Sequence, residues 1–102
     1  MEGHASISTD VLSRYAADAA QEVSGVRGLV DRPLPHRRGV RIERENGRVR
    51  VELRLAVDWG APIPELGRAV QRRVREYLAQ MADVEAESVD VVVDEIGPGP
   101  DR

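Results

Sequence analysis

The sequence predicts a two-layer α+β domain, with two helices on one face of a three-stranded sheet, in the order helix, strand, strand, helix, strand. Two segments carry apolar residues at spacings of three and four, which is typical of amphipathic helices. Other segments alternate apolar and polar residues, as half-buried strands do. The dipeptide Asn46-Gly47 lies between two such strand segments and is the strongest short signal for a two-residue hairpin turn.

The first helix is predicted over Thr9–Val23, with Ser8 as its N-cap. Gly25 is placed to end this helix in a left-handed conformation. The following segment, Leu29–Gly39, contains two prolines and a run of polar residues, so it is predicted to be a loop.

The predicted hairpin consists of strands Val40–Glu45 and Arg48–Trp59. A two-residue turn fixes the register, so one face carries only apolar pairs and the other carries opposite-charge pairs. Each such pair contributes roughly 0.2–1 kcal/mol. The predicted charge pairs are Glu45–Arg48, Glu43–Arg50 and Arg41–Glu52. Because these arginines already have carboxylate neighbours, this face is not predicted to bind nucleic acid.

Gly60–Pro62 is predicted to be a turn, and a second helix follows, with Pro64 at its first position and its end near Met81. The third strand is predicted over about Ser88–Ile96, where Asp90 and Asp94 join the polar face and could offset Arg54. Residues 1–96 are therefore expected to form one domain, and residues 97–102 a disordered tail.

Composition excludes several classes of function. The chain of 102 residues has a net charge of -3, no Cys and no Lys, so thiolate metal sites, cysteine nucleophiles and lysine Schiff bases are excluded. The sequence contains no apolar run long enough to predict a membrane span, and its N-terminus lacks the features of a signal peptide. We therefore expect a cytoplasmic protein without direct membrane insertion. The two histidines, His4 and His36, have no Asp/Glu pair at metal spacing. We predict no catalytic residue, cofactor or metal site.

Two segments are candidates for binding. In the second helix Arg68, Arg72 and Arg75 project away from the apolar stripe and Arg73 lies on its flank, while Asp83–Glu95 holds six acids and no base. The functional interpretation of this asymmetry is complementary self-association or docking to an acidic partner, and the other interpretation is an ordinary solvated helix face.

The tetrad "GVRG" suggests a different function. Its residues Gly25, Val26, Arg27 and Gly28 match the GxxG loop of KH domains, which joins two helices and clamps single-stranded RNA. A helix C-cap followed by a flexible loop is the alternative interpretation.

Most of the chain, from about Ile7 to Ile96, resembles the alkaline shock protein family, also called envelope stress response proteins. The opening "ISTDVLSRYAADAAQEVSGVRGL" is similar to the family's alanine-rich helix and its Val-x-Gly-Val-x-Gly-Leu ending. The middle resembles the family's hairpin, aromatic-Gly pair, Ile-Pro helix start and Val-Gln-x-x-Val, and "VDVVVDEI" resembles its closing strand. The sequence departs from the pattern at Trp59, Asp90 and Ala82-Asp83, where the family has Tyr, Asn and Thr-Gly.

This resemblance implies a small cytoplasmic α+β protein without enzymatic activity, linked to cell-envelope homeostasis. It implies partners as well: the chain itself, as a homo-oligomer, or a small membrane-anchored protein of the same family. No catalytic residue carries over from the family, and nucleic acid is an unlikely partner.

Overall fold

The computed structural model describes residues 7–30 and 39–98, which form two helices and four strands. In chain order these are α1 (Thr9–Gln21), β1 (Val26–Leu29), β2 (Val40–Glu45), β3 (Arg48–Asp58), α2 (Ile63–Ala82) and β4 (Ala86–Gly97). The predicted α+β class is confirmed, and the five predicted elements end within about two residues of their expected bounds.

Helix α1 begins at the predicted cap, because the Ser8 Oγ accepts a hydrogen bond from the Val11 amide at 3.1 Å. It ends at Gln21, two residues earlier than predicted. Gly25 does adopt a positive φ of 97°, but it does so in the turn that leads into β1 rather than at the helix end.

The sheet is mixed and is organised around β3. Strands β1 and β2 pair with β3 antiparallel, at its C-terminal and N-terminal halves respectively. Strand β4 pairs with it in parallel along nearly its whole length, after the crossover through α2. Because a strand has only two hydrogen-bonding edges, β1 and β2 must share one edge of β3 while β4 occupies the other.

The predicted hairpin register is confirmed at each of its six pairs, from Val40 opposite Leu53 to Glu45 opposite Arg48. The alternation of β3 then places one set of side chains under the helices and the other on the outer face. The five inward residues of β3 are at most 6% exposed: Val49, Val51, Leu53, Leu55 and Val57. They form the core together with buried faces of α1 and α2, so the outer face of the sheet is left to the charged side chains.

The sheet has four strands, so the prediction of three was wrong in number. The additional strand, β1, lies where the sequence predicts a helix cap and a flexible loop. Its four residues are too few to show a period of two, and it is held by distant partners: the Asp58 amide donates to the Gly25 carbonyl at 2.8 Å, and the Val30 amide to the Arg54 carbonyl at 2.9 Å. Such pairing is a property of the folded sheet and leaves no local pattern.

The predicted tail also begins too early, because Gly97 is the last residue of β4. The rest of that prediction falls on residues 99–102, and most of the predicted loop falls on residues 31–38; both lie outside the described residues.

Candidate functional site

The outer face of the hairpin neutralises its own charge. Arg41 contacts Glu43 at 2.8 Å and Glu52 at 3.9 Å, and Arg50 contacts Glu43 at 3.8 Å. Two of the three predicted cross-strand ion pairs are therefore present. Exposed pairs of this kind contribute little to stability, but they occupy the guanidinium groups that a polyanion would need.

Strand β4 completes this neutralisation. Glu87 contacts both Arg48 and Arg50 at 3.4 Å, so Arg48 turns toward β4 although Glu45 lies opposite it in the hairpin. Arg54 contacts Asp94 at 3.4 Å, as predicted. The expected contribution of Asp90 was wrong, because the register places Asp90 beside Glu52, another carboxylate.

We name Arg68, Arg72, Arg73 and Arg75 the basic helix face. All four are exposed residues of α2. Arg73 Nε lies 3.3 Å from a carboxylate oxygen of Glu22, so this arginine links α2 to the end of α1. The other three lie at positions i, i+4 and i+7, which is one side of a helix over about 10 Å. Within the described part of the chain, no ion pair involves these three guanidinium groups.

We name Asp83–Glu95 the acidic segment, and the structure divides its six carboxylates into two groups. Glu87 and Asp94 are held by arginines of β3. The other four form no ion pair with the residues that the structure describes: Asp83, Glu85, Asp90 and Glu95. The exposed negative charge therefore lies at the end of α2 and along β4.

The Gly25–Gly28 tetrad consists of the turn residue Gly25 and the first three residues of β1, so it does not join two helices as the KH loop does. Its arginine, Arg27, contacts Asp58 at 3.8 Å, and its side chain lies across Gly97 on β4. A Cβ atom at Gly25 would come within 2.8 Å of Leu66 Cδ1 on α2. In this structure the tetrad joins α1, the sheet and α2, and its geometry differs from the one that the RNA-binding hypothesis requires.

One functional feature that sequence reasoning missed is the free edge of β4. In the part of the chain that the structure describes, β4 pairs with β3 alone. The side chain of Gln71 on α2 reaches this edge, where its Nε2 donates to the Val89 carbonyl at 2.9 Å. Which strand lies at the edge of a sheet depends on the topology, so no local signal could have found it; the run Val91, Val92, Val93 lacks the charged side chains or proline that usually protect an edge strand.

Two large apolar side chains, Trp59 and Ile96, are exposed at one end of the sheet. Trp59 is 72% exposed and Ile96 48% exposed, and both lie at the end of the sheet where Asp58 pairs with Gly97. Because the Trp59 side chain is not packed in the core, this position can hold a Trp where the family pattern has a Tyr.

No cluster of three metal-ligating side chains occurs among residues 7–30 and 39–98, and both histidines lie outside these ranges. No helix in the described ranges has the length and hydropathy that crossing a membrane requires.

The fold and surfaces define a small two-layer α+β protein whose notable chemistry is a charged helix face and a free strand edge. The model of the alkaline shock protein 23 family, described as having a cell envelope-related function, matches residues 1–98. The chain therefore belongs to this alkaline shock protein family, which confirms the resemblance that its sequence shows.

Individual proteins are similar to the chain as well. The chain is similar to the "Uncharacterized protein YqhY" of Bacillus subtilis (strain 168), with 25% identity over 99 residues, covering 87% of this chain and 73% of that protein. Among solved structures it is similar to "MamM-CTD 215-293", with a TM-score of 0.59 and 17% identity over 86% of this chain and 99% of that one. A cadmium form of a MamM CTD variant has a TM-score of 0.58 and 18% identity, over 85% and 95%. At these identities the structural likeness shows the fold alone.

Proposed function

We propose that this member of the alkaline shock protein family is a non-enzymatic interaction or scaffold protein of the cytoplasm, linked to the cell-envelope stress response. It acts by self-association or by docking to a small membrane-anchored protein of the same family, which places it at the membrane peripherally. The basic helix face is the contact surface.

The observation that carries this proposal is the contrast between paired and unpaired arginines. On the outer face of the sheet, Arg41, Arg48, Arg50 and Arg54 each have a carboxylate within 4.0 Å. On α2, Arg68, Arg72 and Arg75 have none among the described residues. Guanidinium groups in a row at helical spacing can each form charge-assisted bonds with a carboxylate of a partner.

The chain itself offers suitable carboxylates. Asp83 and Glu85 follow α2 directly, are exposed, and form no ion pair with described residues. In a contact between two copies, the basic helix face of one would meet this end of the acidic segment of the other. An acidic segment of a membrane-anchored relative would satisfy the same arginines.

The structure gives no observation in favour of the RNA-binding alternative. That function needs Gly25–Gly28 as a free loop between helices, whereas Val26–Leu29 forms β1 and Arg27 is engaged by Asp58.

A charge-reversal experiment tests the basic helix face. Arg68→Glu/Arg72→Glu is compared with Arg14→Glu/Arg44→Glu, which changes the net charge equally at two other exposed arginines. Sedimentation of each protein is measured from low to high salt. We expect the wild type and the control to associate at low salt and the α2 variant to associate about 5- to 30-fold more weakly. Equal association of both variants, or a wild type that is monomeric at low salt, would contradict self-association through this face.

The membrane-anchored partner is tested separately. The same variants are crosslinked in the native cell, and the membrane fraction is included in the pull-down. We expect a membrane-anchored relative to be recovered with the wild type and the control, and to be lost with Arg68→Glu/Arg72→Glu. Recovery that is independent of the α2 arginines would contradict docking through them.

A further inference from the structure

The orientation of the backbone along the free edge of β4 follows from one hydrogen bond. Gln71 reaches the Val89 carbonyl from α2, so this carbonyl points away from β3. Within a strand the N–H and C=O groups of alternate residues point to the same edge. The backbone groups of Val91 and Val93 therefore point to the free edge as well, while those of Asp90 and Val92 face β3.

The strand is regular over the part that matters. The pairing with β3 is shifted at Glu87 and again at Asp94, and between these shifts Ser88–Val93 keeps a continuous register. Val91 and Val93 lie beside Leu53 and Leu55, which are fully buried, yet the two valines are only half-buried. Since β3 lies on their other side, the exposed part of these two valines is toward the free edge. This six-residue edge contains four valines and no proline or lysine, so it is open to pairing with another strand.

The charges at this edge indicate what kind of strand fits. Asp90 lies beside Glu52 and forms no ion pair with the described residues. Glu52, in contrast, already contacts Arg41 and Arg54. A second β4 would bring further carboxylates to this place, since the acidic segment contains no basic residue. Like charges opposed across strands are destabilising, so a strand with basic residues fits and a second β4 does not.

We propose that the β4 edge at Val91 and Val93 is a strand-addition site for an extended segment of a partner protein that carries arginine or lysine at alternate positions. Antiparallel addition gives Val91 and Val93 two backbone hydrogen bonds each. The residues opposite these valines lie on the helix side of the sheet and are apolar. The residues between them lie on the outer face, where a basic side chain reaches Asp90. The inference shares with the proposed function only the premise that the chain acts through protein contacts. The surface it concerns is the β4 edge and not the basic helix face.

Synthetic peptides of about eight residues, the length of an ordinary strand, test the proposal on the full chain. The probe is a capped peptide in which arginine alternates with valine. Titration is followed by calorimetry and by hydrogen exchange of the Val91 and Val93 amides. We expect saturable binding, with both amides protected only when the peptide is present. The same peptide with glutamate in place of arginine should bind at least about tenfold more weakly.

Two N-methylated forms of the arginine peptide separate strand addition from simple charge attraction. N-methyl groups on the valine amides remove the donors that would face Val91 and Val93, so binding should be lost. N-methyl groups on the arginine amides face away from β4, so this form should bind. Equal binding of the two forms would overturn the proposal, and so would the absence of saturable binding by the unmodified peptide.

Protein variants locate the site. Val91→Pro removes an amide that the sheet does not use, and should weaken binding about tenfold while β4 stays paired with β3. Asp90→Asn should weaken it about 2- to 5-fold. Arg68→Glu/Arg72→Glu should bind the peptide as the wild type does, whatever its effect on self-association. Unchanged binding by a folded Val91→Pro protein overturns the assignment; if that variant fails to fold, the N-methylated pair decides on the wild type.

Discussion

The two glycines of the Gly25–Gly28 tetrad should respond very differently to alanine. Gly25 has a φ of 97°, which an L-residue adopts at a cost of about 1–2 kcal/mol. Its added Cβ would also lie 2.8 Å from Leu66 Cδ1, and Leu66 is 4% exposed, so it has little room to move. Overpacking of this kind costs about 1–3 kcal/mol. Gly28 has neither constraint, because no heavy atom lies within 4 Å of its added Cβ.

The sum for Gly25→Ala, less a few tenths of a kcal/mol gained from the stiffer unfolded chain, is about 2–4 kcal/mol. A domain of this size loses about 4–8 °C of Tm for each kcal/mol, so we expect a fall of about 10–25 °C. Gly28→Ala should shift Tm by only a few degrees. Thermal unfolding followed by circular dichroism measures both.

A third variant tests the assigned cause. Leu66→Ala removes the atom that Gly25→Ala would meet, so the double variant should be less destabilised than the sum of the two single variants, by about 1 kcal/mol. Equal melting temperatures for Gly25→Ala and Gly28→Ala would refute the reasoning, because the tetrad would then not act as a close contact between α2 and the turn before β1.

Three further predictions concern residues whose roles are visible only in the folded chain. Asp83 closes α2 in a left-handed conformation with a φ of 56°, so Asp83→Gly should stabilise the protein by about 1 kcal/mol in urea unfolding, and Asp83→Asn by less; destabilisation by the glycine would contradict this. Gln71→Leu removes the donor to the Val89 carbonyl and should cost about 0.5–1.5 kcal/mol in the same assay, with faster aggregation on heating; unchanged values would show that this bond contributes nothing. Arg73→Ala removes an exposed ion pair with Glu22 and should cost less than about 1 kcal/mol at low salt and nothing measurable at high salt, so a large, salt-independent loss would point to packing instead.

Position 83 also explains a departure from the family pattern. The glycine expected after α2 is replaced by Asp83, yet the backbone still takes the left-handed conformation at that residue. Aspartate is among the few L-residues that tolerate it, because its short side chain can bond locally. The departure therefore changes the charge and the strain at the end of α2 and leaves the path of the chain intact.

The sequence predicted the features of the fold that depend on residues close to one another in the chain. The hairpin register follows from the two-residue turn at Asn46-Gly47 and from the alternation on either side, so all six pairs could be written from the sequence. The helix faces follow from spacing in the same way. The row of arginines on α2 could be recognised for the same reason, because a helix places i, i+4 and i+7 on one side.

Apart from the Arg54–Asp94 ion pair, the partners that distant elements supply could not be predicted. Arg48 and Arg50 turn to Glu87 because β4 lies beside β3, and Arg73 meets Glu22 because α1 ends beside α2. The strand β1 and the exposed side of β4 likewise depend on which edge of β3 each segment occupies.

Periodicity and turn chemistry act over a few residues, so the sequence predicted both helices, three of the four described strands, their buried faces and the hairpin register. Among the described residues, the packing of the elements sets which charges remain unpaired and which strand edge stays free. Those properties depend on contacts between residues tens of positions apart, and a one-dimensional pattern contains no record of them.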